Sequence, residues 1–255
     1  MESKPVCLHT SLRSFGTPRA QADHLIEVFL DAGATVMAPT FTHGMFGVRP
    51  PPHLRPPRNG SDYDRPDMND AGRDRVFDPS SNEVDESLGT LPRVLLRRPG
   101  RIRGNHPISS FTAIGPLASQ LITGQHGQDV FAPLARLGKL DGIVLLIGVG
   151  LTRMTLLHLA EKRSGRVLFR RWANGPDGEP VMVEAGGCSE GFGNFEPALA
   201  AVRREVQVRE SRWQVFPARS TLNLATHAIR INQRITHCGQ ACLRCDDAVA
   251  GGPLL

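Results

Sequence analysis

The chain has 255 residues, of which 40% are hydrophobic and 5% aromatic, and its formal net charge is +5. This length suits one globular core. No apolar run approaches the length of a transmembrane helix, and the amino-terminal MESKPVCLHTSL lacks the apolar centre of a signal peptide, so we expect a cytoplasmic protein that is not exported. The arginines are scattered and no basic motif is interleaved with aromatic residues, which disfavours nucleic-acid binding.

The predicted elements begin with a strand, a helix and a second strand. Residues 5–9 (PVCLH) are typical of a short buried strand, residues 20–32 of a helix that stops at Gly33, and ATVMAPTF of the second strand. This order is typical of a parallel crossover. Periodicity then disappears, and the Pro-, Arg- and Asp-rich segment of about residues 43–86 is predicted to be a mobile loop, because ordinary connections are shorter.

One part of that loop is acidic although the chain is basic. Between residues 61 and 86 nine carboxylates accompany three arginines, Arg65, Arg73 and Arg75. The nine are Asp62, Asp64, Asp67, Asp70, Asp74, Asp78, Glu83, Asp85 and Glu86. Such a segment would attract a polycationic ligand, and a solvated acidic loop is the alternative.

Order returns after the loop. ESLGTLPRVLLRR, PLASQLI, residues 133–137 and TRMTLLHLAEKR are predicted helices, RIRGNHPISSF is a loop, and DGIVLLIGVG is a buried strand. A hairpin of residues 168–172 and 181–184 follows, and then the helices FEPALAAVRREV and STLNLATHAIRINQR. The elements predict one α/β domain over residues 1–255, with a mixed, largely parallel sheet flanked by helices and a smaller helical and hairpin C-terminal part.

Two polar elements each follow the end of a predicted strand, which is where open parallel sheets bind ligands. His158 and Glu161 in TLLHLAE are three residues apart and share a helix face, so the carboxylate could orient the imidazole as a base. An ordinary surface or core pair is the alternative. Thr10 and Ser11 in HTSLRSFG could bind a phosphate at a helix amino terminus, or could simply cap that helix.

The five cysteines do not suit a disulfide framework, because their number is odd and three of them lie within residues 237–255. Cys238, Cys242 and Cys245 could ligate one zinc ion, with Cys188 or the adjacent His237 as the fourth ligand. Reduced thiols on a loose Cys-rich tail are the alternative. Cys7 is predicted to be a small core residue.

Six segments are distinctive together: CLHTSLRSFG, APTF, FDPSSNEVDESLGTLP, RIRGNHPISSFTAIG, GVG with TLLHLAE, and GGCSEGFGNFEP. In this order, over nearly the whole chain, they resemble the aminoglycoside 3-N-acetyltransferase family of antibiotic N-acetyltransferases. The resemblance implies an antibiotic acetyltransferase-like α/β fold. It also implies direct transfer of an acetyl group from acetyl-coenzyme A to the 3-amino group of a 2-deoxystreptamine aminoglycoside, which inactivates the antibiotic and gives resistance.

The resemblance also assigns residues. The general base would be His158, and the other catalytic residues would be Glu161, His9 and Thr155, with Thr155 donating to the thioester oxygen. The residues expected to bind coenzyme A are His9, Thr10, Ser11, Leu12, Arg13, Arg103, His106, Ser109 and Ser110. The residues expected to bind the cationic acceptor are Asp62, Asp64, Glu161 and Glu196. The expected assembly is a monomer or a homodimer.

Two positions depart from the family pattern. Gly104 follows Arg103 where the family commonly has Ser, and Met154 occupies a place that is often Asn. The first change is expected to weaken a coenzyme A contact and the second to alter the acceptor side. Three other functions stay open: acetylation of another amine, hydrolysis by His158 with Ser11 or Cys7 as nucleophile, and a metal-stapled binding protein. The absence of a GxSxG elbow from the sequence disfavours the hydrolase.

Overall fold

The computed structural model describes residues 4–16, 21–65 and 68–255. Within them the strands are β1 Pro5–Thr10, β2 Thr35–Pro39, β3 Ile102–Arg103, β4 Phe111–Ile114, β5 Ile143–Ile147, β6 Phe169–Asn174, β7 Pro180–Ala185, β8 Arg204–Val208 and β9 Ser211–Pro217. The α-helices are α1 Ala22–Asp31, α2 His43–Phe46, α3 Thr90–Arg97, α4 Ala118–Ile122, α5 Ala132–Lys139, α6 Leu156–Ser164, α7 Glu196–Leu199, α8 Ala218–Ile231 and α9 Leu243–Val249. Asp67 of the acidic segment and Ala20, the expected start of the first helix, lie outside the described residues.

Seven strands form one mixed sheet in the order β3-β4-β2-β1-β5-β9-β8. The neighbours β2, β1 and β5 are parallel, whereas β4, β3, β9 and β8 join antiparallel on the two sides. The predicted α/β class with a mixed sheet flanked by helices is confirmed. Its parallel part is only the three-strand centre, whereas the sequence pattern predicts a largely parallel sheet.

Two predictions of local structure are wrong. FEPALAAVRREV is not one helix, because α7 ends at Leu199 and β8 begins at Arg204, where β8 pairs with β9. RIRGNHPISSF is not wholly a loop, because its Ile102 and Arg103 pair with β4. In both places the available strand partner, a long-range feature, overrides the local pattern.

The period-2 alternation of the central strands divides the core into two layers. Cys7, Val144 and Leu146 pack with α4, α5, α6 and α8 on one face of the sheet. Leu8 and Leu145 pack with α1 and α3 on the other face. Because each strand is apolar on both faces, the three-strand centre is buried throughout, as expected for strands covered by helices on both sides.

The predicted hairpin is confirmed, with β6 paired antiparallel to β7. The segment of residues 43–86 contacts this hairpin through two backbone bridges, Val48 with Trp172 and Val76 with Asn174. Its mobility stays a prediction. None of the helices in the described residues combines the length and hydropathy needed to span a lipid bilayer.

Candidate active site

A cavity of about 1150 Å³ opens at the carboxyl edge of the three parallel strands. Thr10 at the end of β1 lies beside Ile147 at the end of β5, and the Ser11 amide donates to the Ile147 carbonyl at 2.8 Å. The loops after both strands therefore meet at one edge, as the parallel arrangement requires. Of the residues predicted for the site, those that line the cavity are His9, Thr10, Ser11, Leu12, Arg13, Ser109, Thr155 and His158.

A glycine permits the close approach of the two loops. Gly148, directly after β5, has a φ of +63°, and a Cβ atom there would lie 2.0 Å from Ser14 Oγ. Ser14 Oγ in turn donates to the Ser11 carbonyl at 2.6 Å. A larger residue at position 148 would be strained in conformation and would displace the turn that carries Thr10 to Arg13.

His158 lies on α6, and its ring packs near two phenylalanines. Phe131 is stacked on it, with ring centroids 6.0 Å apart and planes 7° apart, and the Phe192 centroid lies 4.7 Å away. On another side a Cβ atom at Gly186 would lie 2.7 Å from His158 Cδ2. His158 is thus only 8% exposed and its ring is held in one plane, while it still lines the cavity.

A buried ionic network fixes the other end of this imidazole. His158 Nδ1 lies 2.8 Å from Glu161 Oε2, and Arg166 Nη1 donates to Glu161 Oε1 at 2.8 Å. Arg166 also donates to Thr236 Oγ1 at 2.8 Å and to the Gln233 carbonyl. The guanidinium compensates the buried carboxylate, which is thereby committed to His158 rather than free to meet a solvent cation.

His9 lies near the start of the same cavity, at the end of β1. Burial first, and then the charge of Arg153, lower the pKa of His9 from 6.5 to about 4, so its imidazole is neutral at pH 7. Its Nε2 lies 3.8 Å from Cys7 Sγ. Burial raises the pKa of the Cys7 thiol to about 12, so this group is not a thiolate nucleophile at neutral pH.

A family model described as aminoglycoside 3-N-acetyltransferase matches residues 7–230. The chain belongs to this family. Aminoglycoside N(3)-acetyltransferase IX of Micromonospora chalcea is 37% identical to it over 220 residues, 81% of this chain and 73% of that relative.

Solved structures agree with this assignment. A histidine-to-alanine variant of AAC(3)-IVa in complex with a gentamicin superposes with a TM-score of 0.71 and 27% identity, over 97% of this chain and 90% of that one. AAC-IIIb, in a binary structure with CoASH, shares the fold with a TM-score of 0.67 and 20% identity, over 90% of each chain. The predicted family resemblance is confirmed, and this aminoglycoside 3-N-acetyltransferase family member is an enzyme.

Three residues predicted to bind coenzyme A do not line the cavity but lie in the interior of this acetyltransferase: Arg103, His106 and Ser110. Arg103 donates to Ser110 Oγ at 2.9 Å and to the carbonyls of Thr40 and Glu83 at 2.9 and 2.8 Å. Burial lowers the pKa of the Arg103 guanidinium to about 10.

His106 is enclosed in a different way. Its Nδ1 accepts the Ser109 amide at 2.9 Å, so its Nε2 donates to the Glu184 carbonyl at 2.9 Å. Each polar group already has partners within the fold.

The departure at Gly104 has a structural reason. A Cβ atom there would lie 1.8 Å from Gln125 Oε1. That oxygen accepts the Phe111 amide at 3.0 Å, while Gln125 Nε2 donates to the carbonyls of Ser109 and Val130. In this chain the Gln125 side chain occupies the space that the common serine would need.

The residues predicted to bind the acceptor are dispersed. Asp62 and Asp64 are exposed and flank Tyr63, which lines a second cavity of about 410 Å³. Glu196 pairs with Arg203 away from both cavities. Glu161 is enclosed behind His158. Of the predicted acceptor contacts, the structure therefore brings only Asp62 and Asp64 close to a cavity rim.

Sequence reasoning missed several residues of the site. His43 lines both cavities, and its Nε2 lies 2.9 Å from Ser109 Oγ. Burial first, and then Arg171 and Arg244, lower the pKa of His43 to about 4. Phe131, Phe192 and Arg166 surround the His158–Glu161 pair. Phe131 and Phe192 come from segments that meet this pair only in the fold. Arg166 is a near neighbour instead, five residues after Glu161 and just past the end of α6, so its spacing offered a signal.

Proposed function

We propose that this enzyme moves the acetyl group of acetyl-coenzyme A directly to the 3-amino group of a 2-deoxystreptamine aminoglycoside, with His158 as general base. The observation that carries the proposal is the position of His158, which lines the cavity while Glu161 holds its Nδ1 at 2.8 Å. Because an ionised carboxylate only accepts hydrogen bonds, Nδ1 is the protonated nitrogen. The lone pair of Nε2 is then available to take a proton from the amine.

The donor side is assigned by charge and by the loop after β1. Arg13 and Arg153 line the cavity beside Thr10, Ser11 and Leu12. Two cations next to the hydroxyls of Thr10 and Ser11 suit the phosphates of a polyanionic cosubstrate. Neutral His9 would contribute a hydrogen bond rather than charge at this end. The family's acetyltransferase name supports acetyl-coenzyme A as the donor.

The acceptor side is assigned to the part of the cavity that carries carboxylates. Asp23 and Glu86 line the main cavity, 3.1 Å from Arg98 and 3.6 Å from Arg93 respectively, and the second cavity at Tyr63 shares His43 with it. Asp62 and Asp64 on the rim would add long-range attraction for a polycation, an effect that salt screens. The gentamicin bound to a neighbour of 27% identity supports an acceptor of this class.

The proposed reaction needs no covalent enzyme intermediate. The neutral 3-amine attacks the thioester carbonyl carbon, forming a C–N bond while His158 Nε2 takes one amine proton. The hydroxyl of Thr155 would hydrogen-bond the developing oxyanion. The C–S bond then breaks, and the coenzyme A thiolate leaves and recovers the proton from the imidazolium. The products are the 3-N-acetyl aminoglycoside and coenzyme A.

A hydrolytic function is less well supported. The Cys7 thiol is buried and protonated, and among the described residues no hydrogen bond joins Ser11 to His158. A serine or cysteine hydrolase needs its nucleophile within hydrogen-bond reach of the base. Acetylation of a different amine stays as the alternative within the same chemistry. We further propose a cytoplasmic location, where five free thiols would stay reduced.

The test is release of coenzyme A thiol from acetyl-coenzyme A with a panel of acceptors. We expect rapid release of the thiol with 2-deoxystreptamine aminoglycosides and none with water alone. Mass spectrometry should find one added acetyl group, and NMR should locate it on the 3-amine. The matched control acceptor is the same aminoglycoside already acetylated at that amine, which should be inert. Equal rates with simple amines, or acetylation elsewhere on the ring, would contradict the acceptor assignment.

A further inference from the structure

We propose that Cys188, Cys238, Cys242 and Cys245 bind one structural zinc ion. All four Sγ atoms lie within 4.8 Å of one another, and none of the chain's cysteines is in a disulfide. Cys188 comes from the loop after β7, and the other three come from the tail around the start of α9. The site is separate from the acetyl-transfer chemistry, so failure of either proposal leaves the other unaffected.

Local backbone geometry brings the three tail cysteines together. Gly239, with a φ of +80°, turns the chain directly after Cys238. Cys242 precedes α9, and its carbonyl accepts the amide of Cys245 at 2.9 Å. The spacing Cys-x2-Cys across such a turn points two sulfur atoms at one centre, as in zinc-binding knuckles.

Contacts that do not involve sulfur hold the loop of Cys188, the fourth ligand, against the tail. Asn194 Nδ2 donates to the carbonyls of Ile235 and His237 at 3.0 and 3.1 Å. Gly191 approaches the tail so closely that a Cβ atom would lie 2.3 Å from the Thr236 carbonyl oxygen. The loop that carries Cys188 is therefore held against the tail before any ion binds. Such preorganisation lowers the cost of binding a metal.

The structure distinguishes the two predicted candidates for the fourth ligand. Both ring nitrogens of His237 are engaged, since Nε2 lies 3.1 Å from Asp246 Oδ1 and Nδ1 accepts the Gly239 amide at 3.0 Å. Cys188 instead lies within the sulfur cluster. Four cysteines and no histidine is a donor set that structural zinc sites use.

A zinc ion fits both the four thiolate donors and the distances between their sulfur atoms. Thiolate–zinc bonds of about 2.3 Å in a tetrahedron place sulfur atoms about 3.8 Å apart, which is inside the observed 4.8 Å limit. A soft S4 site selects zinc or iron over oxygen-seeking cations. Paired disulfides would instead bring sulfur atoms to about 2.0 Å in two separate pairs.

The ion would brace one wall of the active-site cavity from behind. Gly186, Gly187, Ser189 and Phe192 come from the same short stretch as Cys188 and line that cavity. Phe192 also contacts the His158 ring. Zinc binding would thus tie the tail to the stretch that packs on His158 without touching either substrate.

The test is elemental analysis of the full chain, produced without a His tag and freed of loosely held metal by gel filtration. We expect about one zinc ion per chain. Cys188→Ser and Cys242→Ser should each lower the zinc content at least several-fold. The matched control is Cys7→Ala, which removes a cysteine in the sheet core and should keep the full zinc content.

A second measurement protects the test against variants that fail to fold. The wild-type chain is grown with cobalt in place of zinc, and its absorption spectrum is recorded. A tetrahedral thiolate site should give intense visible ligand-field bands and sulfur-to-cobalt charge transfer, and the Cys7→Ala chain should match it. Wild-type protein with less than about a tenth of an equivalent of zinc, with iron in its place, or with disulfides among these four cysteines would overturn the proposal.

Discussion

The two histidine-bearing motifs, TLLHLAE and RIRGNHPISS, both belong to the family resemblance, but the fold uses them differently. His158 in the first has one nitrogen fixed by Glu161 and lines the cavity. His106 in the second is fully buried, with hydrogen bonds at both nitrogens, and lines neither of the two cavities that share His43. A motif can therefore identify a family through packing as well as through substrate contact. A histidine with both ring nitrogens occupied has no lone pair left for catalysis.

The largest effect on stability is expected when the ionic network behind His158 is broken. Arg166→Met leaves the buried Glu161 carboxylate without its cation, which should lower the free energy of unfolding by about 3–5 kcal/mol. Denaturant unfolding measures the change. Arg163→Met, on the exposed side of α6, is the control and should change stability by less than about 0.5 kcal/mol. Equal losses in both variants would contradict the network.

The burial of His106 in the RIRGNHPISS motif should make the stability of the protein depend on pH. Burial lowers the pKa of His106 from 6.5 to about 3, so below pH 6.5 the unfolded chain binds a proton that the folded chain refuses. The contribution of neutral His106 to the free energy of unfolding is therefore fully present above pH 6.5, and it is lost as the pH falls below that value. Between pH 7.5 and pH 5 this histidine alone should cost about 2 kcal/mol.

Chemical denaturation at the two pH values measures this loss. His106→Gln should unfold more easily at pH 7.5 but lose less stability on going to pH 5 than the wild type. The exposed His24→Gln should lose as much as the wild type. If His106→Gln and the wild type lose the same amount, His106 is not a buried neutral group.

A smaller effect is expected from moving the base without removing it. Gly186→Ala places a methyl group 2.7 Å from His158 Cδ2, and the ring must shift to accommodate it. We expect kcat to fall by roughly ten- to a hundredfold, because a displacement of about 1 Å is costly to catalysis. Steady-state kinetics measures this. Gly193→Ala, where a Cβ atom would meet nothing within 4 Å, is the control and should keep kcat.

The sequence predicts the centre of the fold better than its edges. β1, β2 and β5 are apolar runs bounded by turn residues, and the β6–β7 hairpin surrounds a Gly- and Asp-containing turn, so local patterns suffice. β8, with its exposed REVQV, and the two-residue β3 exist because a partner strand is nearby. The pairing of two distant segments cannot be predicted from the sequence pattern of either segment alone.

The candidate site divides in the same way. His158 and Glu161 follow one predicted strand, and the residues from His9 to Arg13 surround the end of another. The family resemblance assigns both groups to one site. Phe131 and His43 join the site from distant parts of the chain. Arg166 is close in sequence, and it reaches Glu161 because the chain turns at Gly165, which has a φ of +109°. Arg103 shows the converse, since an arginine in a motif suggests a phosphate ligand until its burial and its carbonyl partners are seen.

The measurement that tests the central claim most directly is the steady-state kinetics of His158→Gln beside that of His106→Gln, each normalised to folded enzyme. We predict that His158→Gln lowers kcat by roughly a hundredfold to ten-thousandfold with its folded state intact, because general-base catalysis is removed. His106→Gln should keep kcat within about tenfold and lose stability instead. If His158→Gln turns over acetyl-coenzyme A and an aminoglycoside at the wild-type rate, the assignment of His158 as the base is contradicted.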